Sequence, residues 1–248
     1  MNTNLLYLEN NNLLGSESKV VDIVDDEGKI GLILDKTIFY PQGGGQPYDK
    51  GIIENQNGKF IVEEVRFVDG VVKHYGHFES GIIKPKENVK ISVDHDRRLL
   101  NSQIHSAGHL VDLVLDNLGY TWEPGKGYHF PEGPYVEYSG SLENIDKEKL
   151  IADLENGCNR IIKEGLPVTF KFISAPEVQK LCRYVPENIP QDKPLRIVLF
   201  GDWASPCGGT HVANLSDIGD ITIRKIKTSG EGIIRISYAL RLEQTNGY

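Results

Sequence analysis

The hydrophobic positions of this chain fall into two regimes. Through the first ninety or so residues they come in short runs rich in β-branched side chains, the mark of strands. Val20-Val21-Asp22-Ile23-Val24 and Ile30-Gly31-Leu32-Ile33-Leu34 flank the turn-forming cluster Asp25-Asp26-Glu27-Gly28 and predict a hairpin. Ile52-Ile53, Phe60 to Val68 and Val71 to Tyr75 continue the series, punctuated by Asn57-Gly58 and Asp69-Gly70. Ile91 to Val93 is the last strand or the connector that follows it. Short strands at this spacing predict a small β-barrel.

After Asp94 the period lengthens. Leu99, Ile104, Leu110, Leu113, Val114 and Leu118 predict a helix running from Arg98 to a cap at Gly119. Leu150, Leu154, Cys158, Ile161 and Ile162 mark one face of a second helix over Asp146 to Gly165, which Pro167 prevents from continuing. Strands are predicted at Val168 to Ile173, Leu195 to Phe200, Asp220 to Ile226 and Gly232 to Ala239. A short helix over Ala175 to Cys182 is opened by Ser174 as N-cap and Pro176 at its first position. The class is α+β, in two domains divided near residue 90.

Composition narrows the setting. With 248 residues, 39% hydrophobic and 25% charged, the chain is that of a soluble globular protein. No stretch approaches the roughly 18 consecutive apolar residues of a membrane helix, so no membrane partner is expected. The N-terminal MNTNLLYLENNN lacks the basic region and apolar core of a secretory signal. Three cysteines, Cys158, Cys182 and Cys207, argue against a disulfide framework and for a reducing, cytoplasmic location. Cys158 and Cys182 are expected as small buried hydrophobes. A net charge of −8 counts against sequence-blind nucleic-acid binding, and no DNA partner is expected. It leaves room for local basic tracks such as Arg97-Arg98 and Arg224, Lys225 and Lys227, for which a solvated face is the ordinary account.

Two motifs carry metal chemistry. His105 and His109 stand four apart in a predicted helix, so both imidazoles lie on one face. Cys207-Gly208-Gly209-Thr210-His211 supplies a thiolate and a third imidazole beside a glycine pair. One sulfur and three nitrogens suit tetrahedral Zn2+. The separation of the two halves excludes a zinc finger. Ser106 stands where a metalloprotease of the H-E-x-x-H type has its glutamate, which removes that activity. Four protein ligands fit a structural ion; a loose ligand or a fifth coordination position fits a catalytic one.

At these residues the chain resembles the editing domain of alanyl-tRNA synthetase and its free-standing relatives. The helix motif His105-Ser106-Ala107-Gly108-His109 and its Cys207 to His211 partner carry the likeness. So does Phe39-Tyr40-Pro41-Gln42-Gly43-Gly44-Gly45-Gln46-Pro47, with Asp49 and Gly51 continuing it. The resemblance covers nearly the whole chain. It implies a glycine-rich-motif β-barrel over residues 1–90 and an α/β two-layer, zinc-binding editing domain over 91–248. It implies hydrolysis, in trans, of the ester on mischarged tRNA(Ala), with serine the leading wrong amino acid and glycine second. With no alanine-activating domain before the barrel, the chain looks like the medium-length free-standing form.

An aminoacyl ester is already activated, so positioned water and charge stabilisation suffice, and a metal supplies either. Rejecting alanine while accepting serine requires polar groups that pair with the extra hydroxyl. Thr210, Gln103 and Asp202 are the candidates to act on substrate. Gly43, Gly44, Gly45 and Gln46 suit close backbone approach to tRNA or to the editing domain, and Arg98 and Lys126 are candidate tRNA contacts. The glycine run lacks the lysine of a phosphate loop. The loop Thr121 to Gly127 departs from the synthetase pattern, placing Gly125 or Pro124 where the synthetase has a polar pocket residue; Tyr128-His129-Phe130 continues it with aromatics on which an acceptor end can stack, and a packed hairpin is the alternative for the same stretch. The alternatives are a non-catalytic tRNA-binding module with a structural zinc, and a generic zinc esterase. Oligomeric state is left open.

Overall fold

The alternating runs at the start of the chain close into a barrel. The computed structural model describes residues 2–186 and 189–241. A two-residue strand β1 (Asn4–Leu5) and one helical turn α1 (Leu6–Glu9) precede β2 (Gly15–Asp26), β3 (Lys29–Leu34) and the short β4 (Lys36–Thr37), which pairs with β1. Then follow β5 (Gly51–Asn55), β6 (Gly58–Val68), β7 (Val71–Gly81) and β8 (Asn88–Val93). The closed order is β2-β3-β7-β6-β5-β8, with every neighbour antiparallel.

Two tight turns set the register. Glu27 and Gly28 (φ 56° and 86°) join β2 to β3, and Asp69 and Gly70 (φ 51° and 83°) join β6 to β7. Positive φ at both central residues matches the right-handed twist of the flanking strands. Val20, Leu32, Leu34, Ile53, Phe60, Val62 and Ile91 fill the interior. Phe60 is fully buried and meets Phe78 edge-on at 5.0 Å; burying such a ring stabilises the fold by about 1.5–3 kcal/mol.

The expected helix from Arg98 begins one turn earlier. Asp94 accepts the Arg97 amide at 3.1 Å through its carboxylate, the N-cap of α2 (His95–Asn117). The chain divides into compact units Met1–Leu100 and Asn101–Tyr248. The first turn of α2 belongs to the first unit, where Arg97 donates to the Tyr48 carbonyl and Arg98 pairs with Asp49. Met1 and residues 242–248, the outer ends of the expected domains, lie outside the described residues, as do residues 187–188.

Unit two continues with β9 (Glu123–Tyr128), β10 (Tyr135–Ser139), α3 (Lys147–Glu164), β11 (Val168–Ile173), α4 (Ala175–Leu181), β12 (Leu195–Phe200), β13 (Trp203–Pro206), a 3-10 turn (Leu215–Ile218), β14 (Asp220–Thr228) and β15 (Ile233–Arg241). Two antiparallel sheets form, β14-β15-β10-β9 and β11-β12-β13. The caps of α3 are Asp146, which accepts the Lys149 amide, and Gly165 at φ 69°. Pro176 occupies the second helical position of α4, not the first. Cys158 and Cys182 are buried, and burial pushes both thiols up. The stretch read either as a loop or as a packed hairpin forms the hairpin, β9 pairing antiparallel with β10, and its edge position tolerates Pro124. Among the described residues no helix is long and apolar enough to cross a membrane.

Candidate metal centre

One stripe of α2 builds half of the site. Ser102, His105, Ser106 and His109 stand at spacings of three and four, so they share a helix face. The other half is the segment after β13. Arg196 on β12 holds that segment by its backbone, donating from Nη1 to the carbonyls of Cys207 (2.8 Å) and Gly209 (3.0 Å). Its guanidinium lies over the Phe170 ring at 4.6 Å.

The two serines lock the segment to the helix. Thr210 is fully buried, its hydroxyl 2.8 Å from that of Ser102. Ser106 Oγ accepts the Val212 amide at 3.2 Å and lies 3.1 Å from His211 Nδ1. With Nδ1–H as donor, His211 keeps the lone pair of Nε2 for the interior of the site, where Cys207 Sγ lies 3.3 Å away. Cys207 Sγ also lies 3.6 Å from His105 Nε2 and accepts the Gly209 amide at 3.3 Å.

The donor atoms of His105, His109, Cys207 and His211 all lie within 4.8 Å of one another. Burial acts to raise the Cys207 thiol, but the imidazoles of His105, His211 and His109 hold it well below its ordinary value, in the ligating thiolate form. Burial acts to lower His109, yet the charges of Cys207 and Asp112 outweigh it and raise the imidazole to about 10; a cation bound here would take the place of that proton, since the same negative groups favour either. Burial takes His211 down to about 3.

The fit to a cation rests on His109. Both its ring nitrogens are buried without a hydrogen bond; Asp112 Oδ2 approaches Nδ1 only to 3.4 Å. A buried polar atom left unpaired is costly, and a cation shared with the neighbouring thiolate satisfies it. Tyr138 in turn donates to Asp112, the carboxylate–histidine backing common behind metal ligands. Phe200 and Trp203 wall this side, their rings 6.3 and 5.8 Å from His109.

A fourth histidine adjoins the cluster. His129, 5% exposed, stacks on His105 with ring centroids 4.5 Å apart. Its Nδ1 lies 2.8 Å from Tyr238 Oη, which donates to the Ile104 carbonyl at 2.9 Å. The single phenolic proton is thereby committed, so Nδ1 is the donor in that contact. Burial holds His129 well below its ordinary pKa, and it is neutral. Glycines make its seat: a Cβ on Gly108 falls 2.5 Å from His129 Cε1, and one on Gly127 falls 2.4 Å from Nε2.

Other expected site residues lie elsewhere. Gln103 donates to the Asp217 carbonyl at 2.7 Å, because a residue two positions before His105 lies on a different helix face. Asp202 is exposed in the turn between β12 and β13, and it is the next residue, Trp203, that faces His109. Thr210 is enclosed and serves to position the segment. Arg98, expected at tRNA, is 3% exposed and spends its guanidinium on Asp49 and the carbonyls of Asn11 and Ile38. Gly43 to Gln46 form a tight turn with Gly44 and Gly45 at φ 53° and 78°; the first two glycines are exposed and Gln46 is fully buried. Lys126 is exposed on β9. Sequence reasoning missed Ser102, Ser106, Arg196 and His129. The serines were accessible from their spacing to the histidines; Arg196 and His129 leave no local signal.

Comparison with known proteins agrees with these motifs. Residues 7–97 match the family model "tRNA synthetases class II (A)", and residues 195–237 match "Threonyl and Alanyl tRNA synthetase second additional domain". The chain is 31% identical to "Alanyl-tRNA editing protein AlaX-L" of Pyrococcus horikoshii over 94% of its own length and 57% of that protein. It is 32% identical to the alanine–tRNA ligase of Methanothrix thermoacetophila over 86% of its length and 23% of the ligase. For the ligase of Thermococcus kodakarensis the figures are 30%, 96% and 26%. The chain thus spans little more than half the length of the first relative and about a quarter of the ligases.

Proposed function

Since the chain belongs to the family of alanyl-tRNA editing proteins, we propose that it is an aminoacyl-tRNA deacylase, hydrolysing the ester of mischarged tRNA(Ala) at a zinc centre held by His105, His109, Cys207 and His211. The observation that carries this reading is the convergence of those four donors, drawn from two of the three motifs on which the family likeness rests. One thiolate and three imidazoles are the donor set of zinc. Zinc bound there supplies a Lewis acid that polarises or orients water, or grips the amino or hydroxyl group of the amino acid.

The residues of the chain divide the remaining work. Ser106, through His211 Nδ1, and Asp112, beside His109, orient two of the ligands. Ser102 and Arg196 fix the segment that carries Cys207 and His211. Phe200 and Trp203 exclude water from the His109 side. The preferred wrong amino acid is serine, with glycine second, as the family likeness implies.

Four protein donors also fit a closed, structural ion, which supports the second reading, a tRNA-binding module without catalysis. Release of labelled amino acid from seryl-, glycyl- and alanyl-tRNA(Ala) separates the two. The deacylase reading predicts hydrolysis of the seryl ester fastest and the alanyl ester slowest; equal inertness of all three leaves only the binding module.

A further inference from the structure

The sheet β14-β15-β10-β9 has two unlike faces. Its buried face carries Val136, Tyr138, Ile221, Ile223, Ile226, Ile234, Ile236 and Tyr238. The opposite face is cationic and aromatic. Register aligns Lys225, Ser237, Tyr135 and Tyr128 in one row across the four strands, and Lys227, Arg235 and Glu137 in the next. Tyr128 and Tyr135 stack at 5.2 Å with planes 14° apart, and Phe130 extends the stack from Tyr128 at 4.6 Å and 18°. Arg235 lies over the Tyr135 ring at 3.9 Å while donating twice to Glu137.

Charge on this face runs against the whole. The chain carries a net −8, yet Lys126, Arg224, Lys225 and Lys227 are exposed here, and among the described residues none of them forms a salt bridge. Glu137 is spent on Arg235, and the remaining acidic groups of the sheet, Glu123 and Asp220, stand at the first positions of β9 and β14. Lys225 stands two strands, about 10 Å, from Tyr135 in its row, and Lys126 stands two residues before Tyr128 on the same strand, so cations border the ring stack on two sides.

We propose that this face is a platform for unpaired nucleotides of the RNA substrate, phosphates meeting Lys126, Lys225 and Lys227 and a base adding to the end of the ring stack on Phe130, since Tyr128 is covered by Phe130 and Tyr135, and Tyr135 by Tyr128 and Arg235. The proposal rests on the deacylase reading for the identity of the RNA. Placement connects it to the donor cluster: β9 is an edge strand, and its last residue, Tyr128, faces the platform while the next, His129, turns inward onto His105. A strand passing round the edge at β9 therefore leaves the platform beside the ring that abuts the metal centre. The stacking is sequence-tolerant and the lysine contacts are read by salt.

The test uses the full chain and a hairpin RNA with a single-stranded 3′ tail, against the same hairpin without the tail. Tailed RNA is expected to bind more tightly. Lys225→Glu/Lys227→Glu should lower the slope of log affinity against log salt by about 1.4, two phosphates at about 0.7 each. Phe130→Ala should weaken tailed RNA about tenfold and Phe130→Tyr should restore it, with metal content unchanged in all variants. Equal affinity for both hairpins, or tailed-RNA affinity unchanged in both the charge and the ring variants, overturns the platform. So does self-association of the chain that the charge variants abolish while RNA binding persists. Platform binding without release of amino acid from seryl-tRNA(Ala) sinks the deacylase reading and leaves the platform standing.

Discussion

Ser106 and His211, 105 residues apart in sequence, meet through a 3.1 Å contact that ties the helix half of the donor cluster to the half that follows β13. Ser106→Ala removes that contact and strands the Val212 amide as well. It should cost about 1–3 kcal/mol of stability and lower metal affinity about 10- to 100-fold. Chelator competition on the purified variant measures the second effect; wild-type affinity would show that His211 needs no such support.

Gly108 tests the seat of His129. Alanine is about 1 kcal/mol better than glycine within a helix. Here its Cβ would fall 2.5 Å from His129 and 3.0 Å from Tyr238 Oη, so Gly108→Ala should destabilise by about 1–3 kcal/mol. In a His129→Ala background the same change should be neutral or stabilising. Additive effects in that double-mutant cycle would mean the two residues do not share the space.

Arg98 and Asp49 form a buried pair, 3% and 0% exposed. Arg98→Ala should cost about 3–5 kcal/mol by leaving Asp49 uncompensated. Arg98→Ala/Asp49→Ala should recover part of that loss. Denaturant unfolding of the two variants decides it; a weakened RNA affinity with unchanged stability would return Arg98 to the surface role its sequence context suggested.

His74 gives the barrel a pH dependence. It is fully buried between Thr37 Oγ1 (2.8 Å) and the Leu32 carbonyl (2.9 Å), and burial lowers its pKa to about 4. A histidine depressed from 6.5 binds its proton more readily when unfolded. Its stabilising contribution is therefore complete above pH 6.5 and falls by up to about 3 kcal/mol as pH drops toward 4. The imidazole resonances of His74 should show no titration between pH 8 and 5. A midpoint near 6.5 would contradict the burial.

Barrel strands and both long helices were legible because each is written locally, as alternation, a helical stripe or a cap. Asp25 to Gly28 announced its turn in the same way. β9 was legible only as the hairpin alternative to a loop: Glu123-Pro124-Gly125-Lys126-Gly127 has no strand propensity and is held by pairing with β10. The four donors were visible as two spaced motifs, and their convergence required only that the helix and the strand turn meet. The supporting groups were harder, since Arg196 is no ligand itself but donates to backbone carbonyls, and His129 meets His105 from a different element, a contact that spacing does not encode. Gln103 and Asp202 misled because nearness in sequence to a ligand is not nearness to its face.

The most direct test of the central claim is hydrolysis of seryl-tRNA(Ala) by the wild type and by His105→Ala, with bound zinc measured on the same samples. The account predicts about one zinc per chain and rapid release of serine for the wild type, and loss of both in the variant. Metal-loaded wild type that releases no serine, or a zinc-free variant that hydrolyses at the wild-type rate, would contradict it.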